Sequence, residues 1–361
     1  MVTKEQVIEK LRGVMDPELK RNLVELGMVR NLQIKNGRVQ FTLALTTLAC
    51  PLKDQIVADA KQAISALKGI KQVDVELAEM SVDEKQQLGL GAPQPGQAEP
   101  YNDIRHVIAV VSGKGGVGKS LVSGLLAVAL RRAGYQVGVL DADITGPSIP
   151  KMFFATSVRP GASIFAILPP ESRTGIKVMS INLLLESDDQ AVIWRGPIIS
   201  GVIKQFWGDV LWKKLDYLIV DLPPGTSDAS LTVMQSLPSS GIVLVTSPQD
   251  LAGMVVRKAA QMAQQIGIPI LGLIENMSYF VCPDTGKRHD IFGTSHAEEM
   301  AAKLGTQFLG RLPIDPQIAR LCDTGCIEDY PADGFQMIAE QIATLAPQAK
   351  PSQFMSNPPS A

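Results

Sequence analysis

Two hydrophobic periods divide this chain. Near the N-terminus Val7, Leu11 and Val14 recur at helical spacing, behind Thr3 and Gln6 at the separation of a capping box. That pattern predicts a short amphipathic helix. Leu32 and Ile34 then alternate with polar residues, as do Val39, Phe41, Leu43 and Leu45. Period two is that of a half-buried strand, and Asn36-Gly37 between the runs is a strong hairpin signal. Pro51 suits the first turn of a second helix with Leu52, Ile56, Ala60 and Ile64 on its buried stripe. Val73, Val75 and Leu77 complete the sheet. Residues 1–82 thus read as a small α+β domain of order α-β-β-α-β.

Residues 83–103 are polar and rich in Gly, Pro and Gln, the composition of a flexible linker. From residue 104 the pattern changes. "VIAVVS" (107–112) is an unbroken apolar run, as a central parallel strand buried on both faces requires. "SLVSGLLAVALRRAG" follows as a helix with Gly134 as its stop. "QVGVLDAD", "YLIVDLP", "GIVLVTS" and "PILGLIEN" are further strands separated by helical pattern. Residues 104–345 therefore read as a doubly wound α/β domain with a mostly parallel sheet. Residues 346–361, "APQAKPSQFMSNPPSA", read as a disordered tail.

Composition narrows the class. A chain of 361 residues, 45% of them hydrophobic, fits two domains with sizeable cores. A net charge of −2 without basic runs argues against nucleic acid or an anionic membrane as partner. The N-terminal stretch is amphipathic rather than a signal peptide, and no apolar run approaches a membrane span. Four cysteines in so long a chain are not a disulfide framework, which points to a reduced, cytoplasmic protein.

Candidate chemistry concentrates behind the first strand of the larger domain. Gly113-Lys114-Gly115-Gly116-Val117-Gly118-Lys119-Ser120 fits G-x-x-x-x-G-K-[ST] in full, between an apolar strand and a helix. Its glycines let backbone N–H groups turn toward phosphate oxygens. Lys119 suits the β- and γ-phosphates of ATP, and the Ser120 hydroxyl suits Mg²⁺. Asp221 ends the strand "YLIVD", where a carboxylate supports Mg²⁺. Asp141 and Asp143 end another strand; Asp143 is the favoured group to orient the attacking water, with Asp141 as support near the metal. Cys50 precedes Pro51 at a predicted helix start, and reads equally as an activated thiolate or as a small packed residue.

The second lysine, Lys114, exceeds what a phosphate loop needs. With it the sequence resembles the deviant-Walker group of P-loop ATPases, whose signature is K-G-G-x-G-K-[ST]. "DADITGPSIP", "VIWRGP", "DLPPGTSD", "TSPQD", "ENMSYFVCP" and "LPIDPQI" look like the Mrp/ApbC iron–sulfur carrier family. "DPEL", "LVELGMV" and "TLACPLKDQI" look like the small domain often fused in front of its bacterial members. The resemblance implies a homodimeric ATPase of slow, dimerisation-dependent turnover that delivers [4Fe–4S] clusters to apo-proteins. It implies that Lys114 crosses to the partner's nucleotide and that Asn276 contacts the base. It also implies a C-P-x-C metal motif, and here the sequence departs: Cys282-Pro283-Asp284-Thr285 has a threonine at the second cysteine. A hydroxyl is a poor ligand for a sulfide cluster, so a dimer would offer two Cys282 thiolates rather than four. Cys322 and Cys326 read as structural cysteines, and His289 and Asp290 as surface residues. The alternatives are a nucleotide-switched adaptor without a cluster, which Thr285 favours, and a partition or positioning ATPase, against which the near-neutral charge and Pro-rich tail argue.

Overall fold

Thr3 opens the first helix with the reciprocal bonds that the capping-box spacing calls for. The computed structural model describes residues 2–16, 21–46, 53–81, 84, 96, 98–143, 146–163, 166–185, 196–225, 230–231, 234–235, 237–331 and 333–348. The chain divides into two compact units, residues 1–98 with 161–168, and residues 99–160 with 169–361.

In the first unit α1 (Lys4–Arg12) leads to a short antiparallel pair, β1 (Met15–Asp16) and β2 (Arg21–Asn22), that the apolar pattern does not foretell. β3 (Val29–Lys35) and β4 (Arg38–Leu45) form the hairpin. Asn36 and Gly37 between them have φ of 50° and 80°, the left-handed pair that a tight hairpin turn demands. α2 (Lys53–Ser65) buries Ile56, Ala60 and Ile64 against Val39, Phe41 and Leu43 of the sheet. β5 (Gln72–Glu79) lies parallel to β4. Leu77 is exposed, because β5 is an edge strand whose outer face has no cover. Cys50, Pro51 and Leu52 lie outside the described residues.

In the second unit ordered structure starts inside the segment read as linker. Glu99–Tyr101 makes one 3₁₀ turn and β6 begins at Asp103. β6 (Asp103–Ser112), α3 (Lys119–Arg132), β7 (Val137–Asp141) and α4 (Ile149–Phe153) follow. β8 (Gly161–Ala162) and β9 (Ile167–Leu168) form the small hairpin grouped with the first unit. Then come β10 (Lys177–Met179), α5 (Gly196–Gly208), β11 (Lys214–Asp221), β12 (Gly241–Thr246) and α6 (Asp250–Gln265). β13 (Ile270–Val281), β14 (Arg288–His289), α7 (Ala297–Leu304), β15 (Phe308–Ile314), α8 (Pro316–Asp323) and α9 (Asp333–Leu345) complete the unit.

The sheet runs β10-β7-β11-β6-β12-β13-β14, with β15 also on β13, and only the β13–β14 pair is antiparallel. The five apolar runs read as strands sit side by side as β7-β11-β6-β12-β13, and β6, β7, β11 and β12 are buried at their carboxyl ends. β13 is longer than its apolar run. Met277 within it has φ 54°, and its register against β15 shifts between Glu275 and Tyr279, so its outer part is bent relative to its inner part. Among the described residues no helix is long and apolar enough to cross a membrane.

Candidate functional site

The carboxyl edge of the parallel sheet gathers the predicted phosphate-site residues. Parallel registry sets Asp221 level with both Val110 of β6 and Asp141 of β7, so three strands end together. The chain leaves β6 at Ser112, turns through Gly113–Gly118 and enters α3 at Lys119. Gly118 has φ 80° and opens α3 without a side-chain cap, so the first N–H groups of the helix face the loop. A methyl group on Gly118 would lie 2.1 Å from Asn276 Nδ2, which donates to the Val117 carbonyl at 2.9 Å. The buried Asn276 is thus packed onto the loop itself.

Lys119 and Asp221 form a buried ion pair, Nζ to Oδ1 at 2.7 Å. The other Asp221 oxygen accepts from Ser120 Oγ at 2.6 Å, and Ser123 Oγ donates to Oδ1 at 2.6 Å. One carboxylate therefore holds the loop lysine and the loop serine together. The oxygens of Ser120 and Asp221 are hard donors at adjoining positions, a set that fits Mg²⁺.

Asp141 lies beside this centre but is otherwise employed. Its Oδ2 accepts from the N–H groups of Ser148 and Ile149 at 3.1 and 3.2 Å and from Ser180 Oγ at 3.3 Å. Its Oδ1 accepts from Asp143 N–H at 3.2 Å. It fixes the turn from β7 into α4. Burial, followed by the charge of Asp221, pushes its carboxyl up to about 8. Asp143 is nearly buried and accepts from Gly146 N–H at 3.2 Å.

Lys114 does not join the Lys119–Asp221 centre. Its ammonium donates to Gln249 Oε1 at 2.5 Å, on the residue that precedes α6. Gln249 belongs to "TSPQD", yet nothing in the sequence couples two residues 135 positions apart. Beyond Asn276 the structure places a second group that sequence reading missed. Leu125, Asn276, Tyr279, Arg311, Pro313 and Tyr330 line a cavity of about 190 Å³ next to the loop. Arg311 is steadied by Glu298 at 3.2 Å, and the Tyr330 hydroxyl donates to Asp315 Oδ2 at 3.0 Å.

Cys282 stands at the tip of the β13–β14 hairpin. Its N–H donates to the Lys287 carbonyl, and its carbonyl accepts from Gly286 N–H, closing the turn. The Thr285 hydroxyl and the N–H groups of Thr285 and Asp284 donate to its sulfur and hold the thiol below its usual range. Thr285 thus occupies the second motif position as a hydrogen-bond donor to Cys282. Val281, Ile291 and Phe292 are exposed. His289 pairs with Phe280 in β14, and Asp290 accepts from Arg288. Cys322 lies in α8, where burial pushes its thiol up to about 11, and Cys326 follows in the next turn. Among the described residues no three His, Cys, Asp or Glu side chains gather as a metal site.

A strand, a glycine loop and a helix at the carboxyl edge of a parallel sheet define a P-loop NTPase, here with the MinD/ParA-like sheet. Residues 103–346 match the NUBPL iron-transfer P-loop NTPase family, and residues 4–77 the iron–sulfur cluster assembly protein family. The iron–sulfur cluster carrier protein of Synechocystis sp. is 42% identical over 95% of this chain and 98% of its own length. The cytosolic Fe–S cluster assembly factor NUBP2 of Bos taurus is 43% identical over 69% of this chain and 97% of its own. A nucleotide-binding protein of Archaeoglobus fulgidus, solved in complex with ADP, superposes with a TM-score of 0.58 at 46% identity, covering 64% of this chain and 91% of that one. The chain belongs to the iron–sulfur cluster carrier family of P-loop NTPases.

Proposed function

We propose that two copies of this chain bind ATP and Mg²⁺ between them, hydrolyse ATP slowly, and use that cycle to deliver iron–sulfur clusters to apo-proteins in the cytoplasm. The observation that carries the reading is the Lys119–Asp221–Ser120 cluster at the mouth of the glycine loop. The loop N–H groups from Gly113, Gly115, Gly116, Val117 and Gly118, with the start of α3, receive the phosphates. Lys119 exchanges Asp221 for the β- and γ-phosphate oxygens. Ser120 and Asp221 hold Mg²⁺, which supplies charge neutralisation on the phosphates. Asp143 orients the attacking water, and Asp141 holds the turn that carries Asp143. Asn276 and the cavity beside it take the base, the amide keeping its oxygen for the ligand while its nitrogen serves Val117.

Lys114 acts on the partner's nucleotide. Its bond to Gln249, away from its own Lys119–Asp221 pair, supports this assignment. Positive charge brought to the transferring phosphoryl group makes hydrolysis depend on dimerisation. Mixing a Lys114→Ala chain with an Asp143→Ala chain tests it. A mixed dimer has one site with an intact Asp143 and an intact partner lysine. ATPase activity should return on mixing; mixed dimers without activity would place the lysine in its own site.

The cluster is cargo, and Cys282 is its contact on this chain. One thiolate per chain does not complete a four-thiolate site, so the remaining ligands come from the client or from small thiols. Thr285 supports a second reading, a nucleotide-switched adaptor that recruits apo-proteins without holding a cluster. Anaerobic reconstitution separates the two.

A further inference from the structure

The first unit carries a feature that neither nucleotide nor cluster chemistry uses. All four of its arginines are paired with carboxylates: Arg12 with Glu9 at 3.3 Å, Arg21 with Glu25 at 3.6 Å, Arg30 with Glu84 at 2.8 Å and Arg38 with Asp74 at 2.5 Å. Lys4, Lys68 and Lys71 form no salt bridge with any described carboxylate, and only Lys4 has an acidic neighbour, Glu5, whose carboxyl it helps to hold low. These three exposed lysines line one cavity of about 700 Å³, whose lining includes no acidic residue. Three like charges around one concavity repel each other, and an anion inside it relieves them.

The rim of this cavity is built. The hairpin turn at Gly37 and the loop at Gly69 are locked together, with Lys71 N–H donating to the Gly37 carbonyl at 2.8 Å. A methyl group on Gly37 would lie 2.7 Å from the Gly69 carbonyl oxygen, so the two loops touch backbone to backbone. The start of α1 is not the source of the positive character. Thr3 caps Gln6 N–H, and the Glu5 carboxylate accepts first from its own N–H and from Thr3, with the Lys4 charge a lesser influence on it. The charge comes from the lysines alone. Val2 and Ile34, both partly buried, give the same cavity an apolar wall.

We propose that this cavity, held by Lys4, Lys68 and Lys71, binds an acidic peptide segment of a partner protein, with an apolar side chain of that segment set against Val2 and Ile34. The volume is far above that of a single inorganic ion, a water occupying about 30 Å³. Lysines are mobile point charges that follow carboxylates on a flexible chain, whereas fixed bidentate capture of phosphate is the work of arginine. Three charges on one small patch of a chain with net charge −2 also fall short of the extended basic stripe that nucleic acid needs.

The test uses the full chain and a fluorescein-labelled octapeptide of alternating Glu and Leu, read by anisotropy. Binding should weaken about tenfold as salt rises through the physiological range, since exposed charges are screened. Lys4→Gln/Lys68→Gln/Lys71→Gln should bind at least about tenfold more weakly, with unchanged circular dichroism and ATPase rate. Lys10→Gln/Lys61→Gln/Lys258→Gln, with the same change in charge but outside the cavity, should bind as wild type does. Equal loss in both triple variants would reduce the effect to net charge and overturn the site. So would no binding by the wild type. A thymidine decamer that binds the cavity more tightly than the peptide, or inorganic phosphate that displaces the peptide at equal concentration, would replace the peptide with another anion.

Discussion

Lys119 and Asp221 have side-chain exposures of 6% and 0%, so water cannot compensate either charge. Removing one member of such a pair costs about 3–5 kcal/mol. Lys119→Ala should therefore destabilise the ligand-free protein by roughly 3 kcal/mol and weaken ATP–Mg²⁺ binding by roughly 10–100-fold. Adding Asp221→Asn to the same chain should recover most of the stability and none of the affinity. Urea unfolding and titration calorimetry read the two effects separately; a single variant as stable as wild type would mean that the pair is not shielded. The cysteines give a second residue-scale prediction. Donors to its sulfur hold the Cys282 thiol low, and burial holds Cys322 near 11. Only the thiolate alkylates, so at about pH 7.5 Cys282 should react first, with Cys322 following only as pH approaches the higher value. Thr285→Ala removes the leading donor and should move the Cys282 rate profile up in pH. An unmoved profile would remove Thr285 from the thiol's chemistry. The loop residues and the three aspartates were legible because fixed spacing and strand ends mark them. The Lys114–Gln249 bond was not, because only the fold brings those positions together.

At the scale of elements, the central strands were legible for a physical reason. β6, β7, β11 and β12 are buried on both faces and so read as unbroken apolar runs. β10, β14 and β15 were not, being short or at the margin of the sheet, where burial imposes little pattern. The outer half of β13 was missed because Met277 interrupts its alternation. The link from β7 to α4 rests on Asp141, and its titration yields an element-scale prediction. Burial and the neighbouring Asp221 charge push the carboxyl up to about 8 in the folded chain, from the 3.8 of an ordinary aspartate. Between those values the folded state binds more protons than the unfolded state, so this group's contribution to stability falls as pH rises through that window. Asp141→Asn abolishes the titration and keeps one acceptor for the α4 turn. Its melting temperature relative to wild type should rise from about pH 5 to about pH 9 in the absence of nucleotide. A constant difference across that range would show that Asp141 is ionised throughout.

For the whole molecule the decisive question is what the Cys282 turn holds. Cys282→Ala should lose iron on anaerobic reconstitution, and Thr285→Cys should retain more iron and sulfide than wild type, by about twofold if the full four-thiolate set forms across a dimer. A wild type that stays free of cluster while Thr285→Cys takes one would move the adaptor reading ahead. Iron loading unaffected by Cys282→Ala would place the metal elsewhere. The family was legible because its motifs recur from residue 16 to residue 318. What the site binds at its tip was less so, since a single threonine changes the ligand count without altering the fold around it.

β13 joins the two ends of this chemistry. Asn276 rests on the phosphate loop, and Cys282 lies six residues further on, a span of at most about 20 Å even if fully extended. Met277 stands next to the loop end of that span, left-handed and within van der Waals reach of a methyl at Gly118. In mechanical terms the strand is a crank rather than a rod. Its short arm bears on the glycine loop, its pivot is one strained residue, and its long arm carries the thiol. The long arm is also laddered to β15 at Tyr279 and Phe280 and to β14 at Phe280 and Val281, so the sulfur is re-aimed only when those strands turn with the pivot.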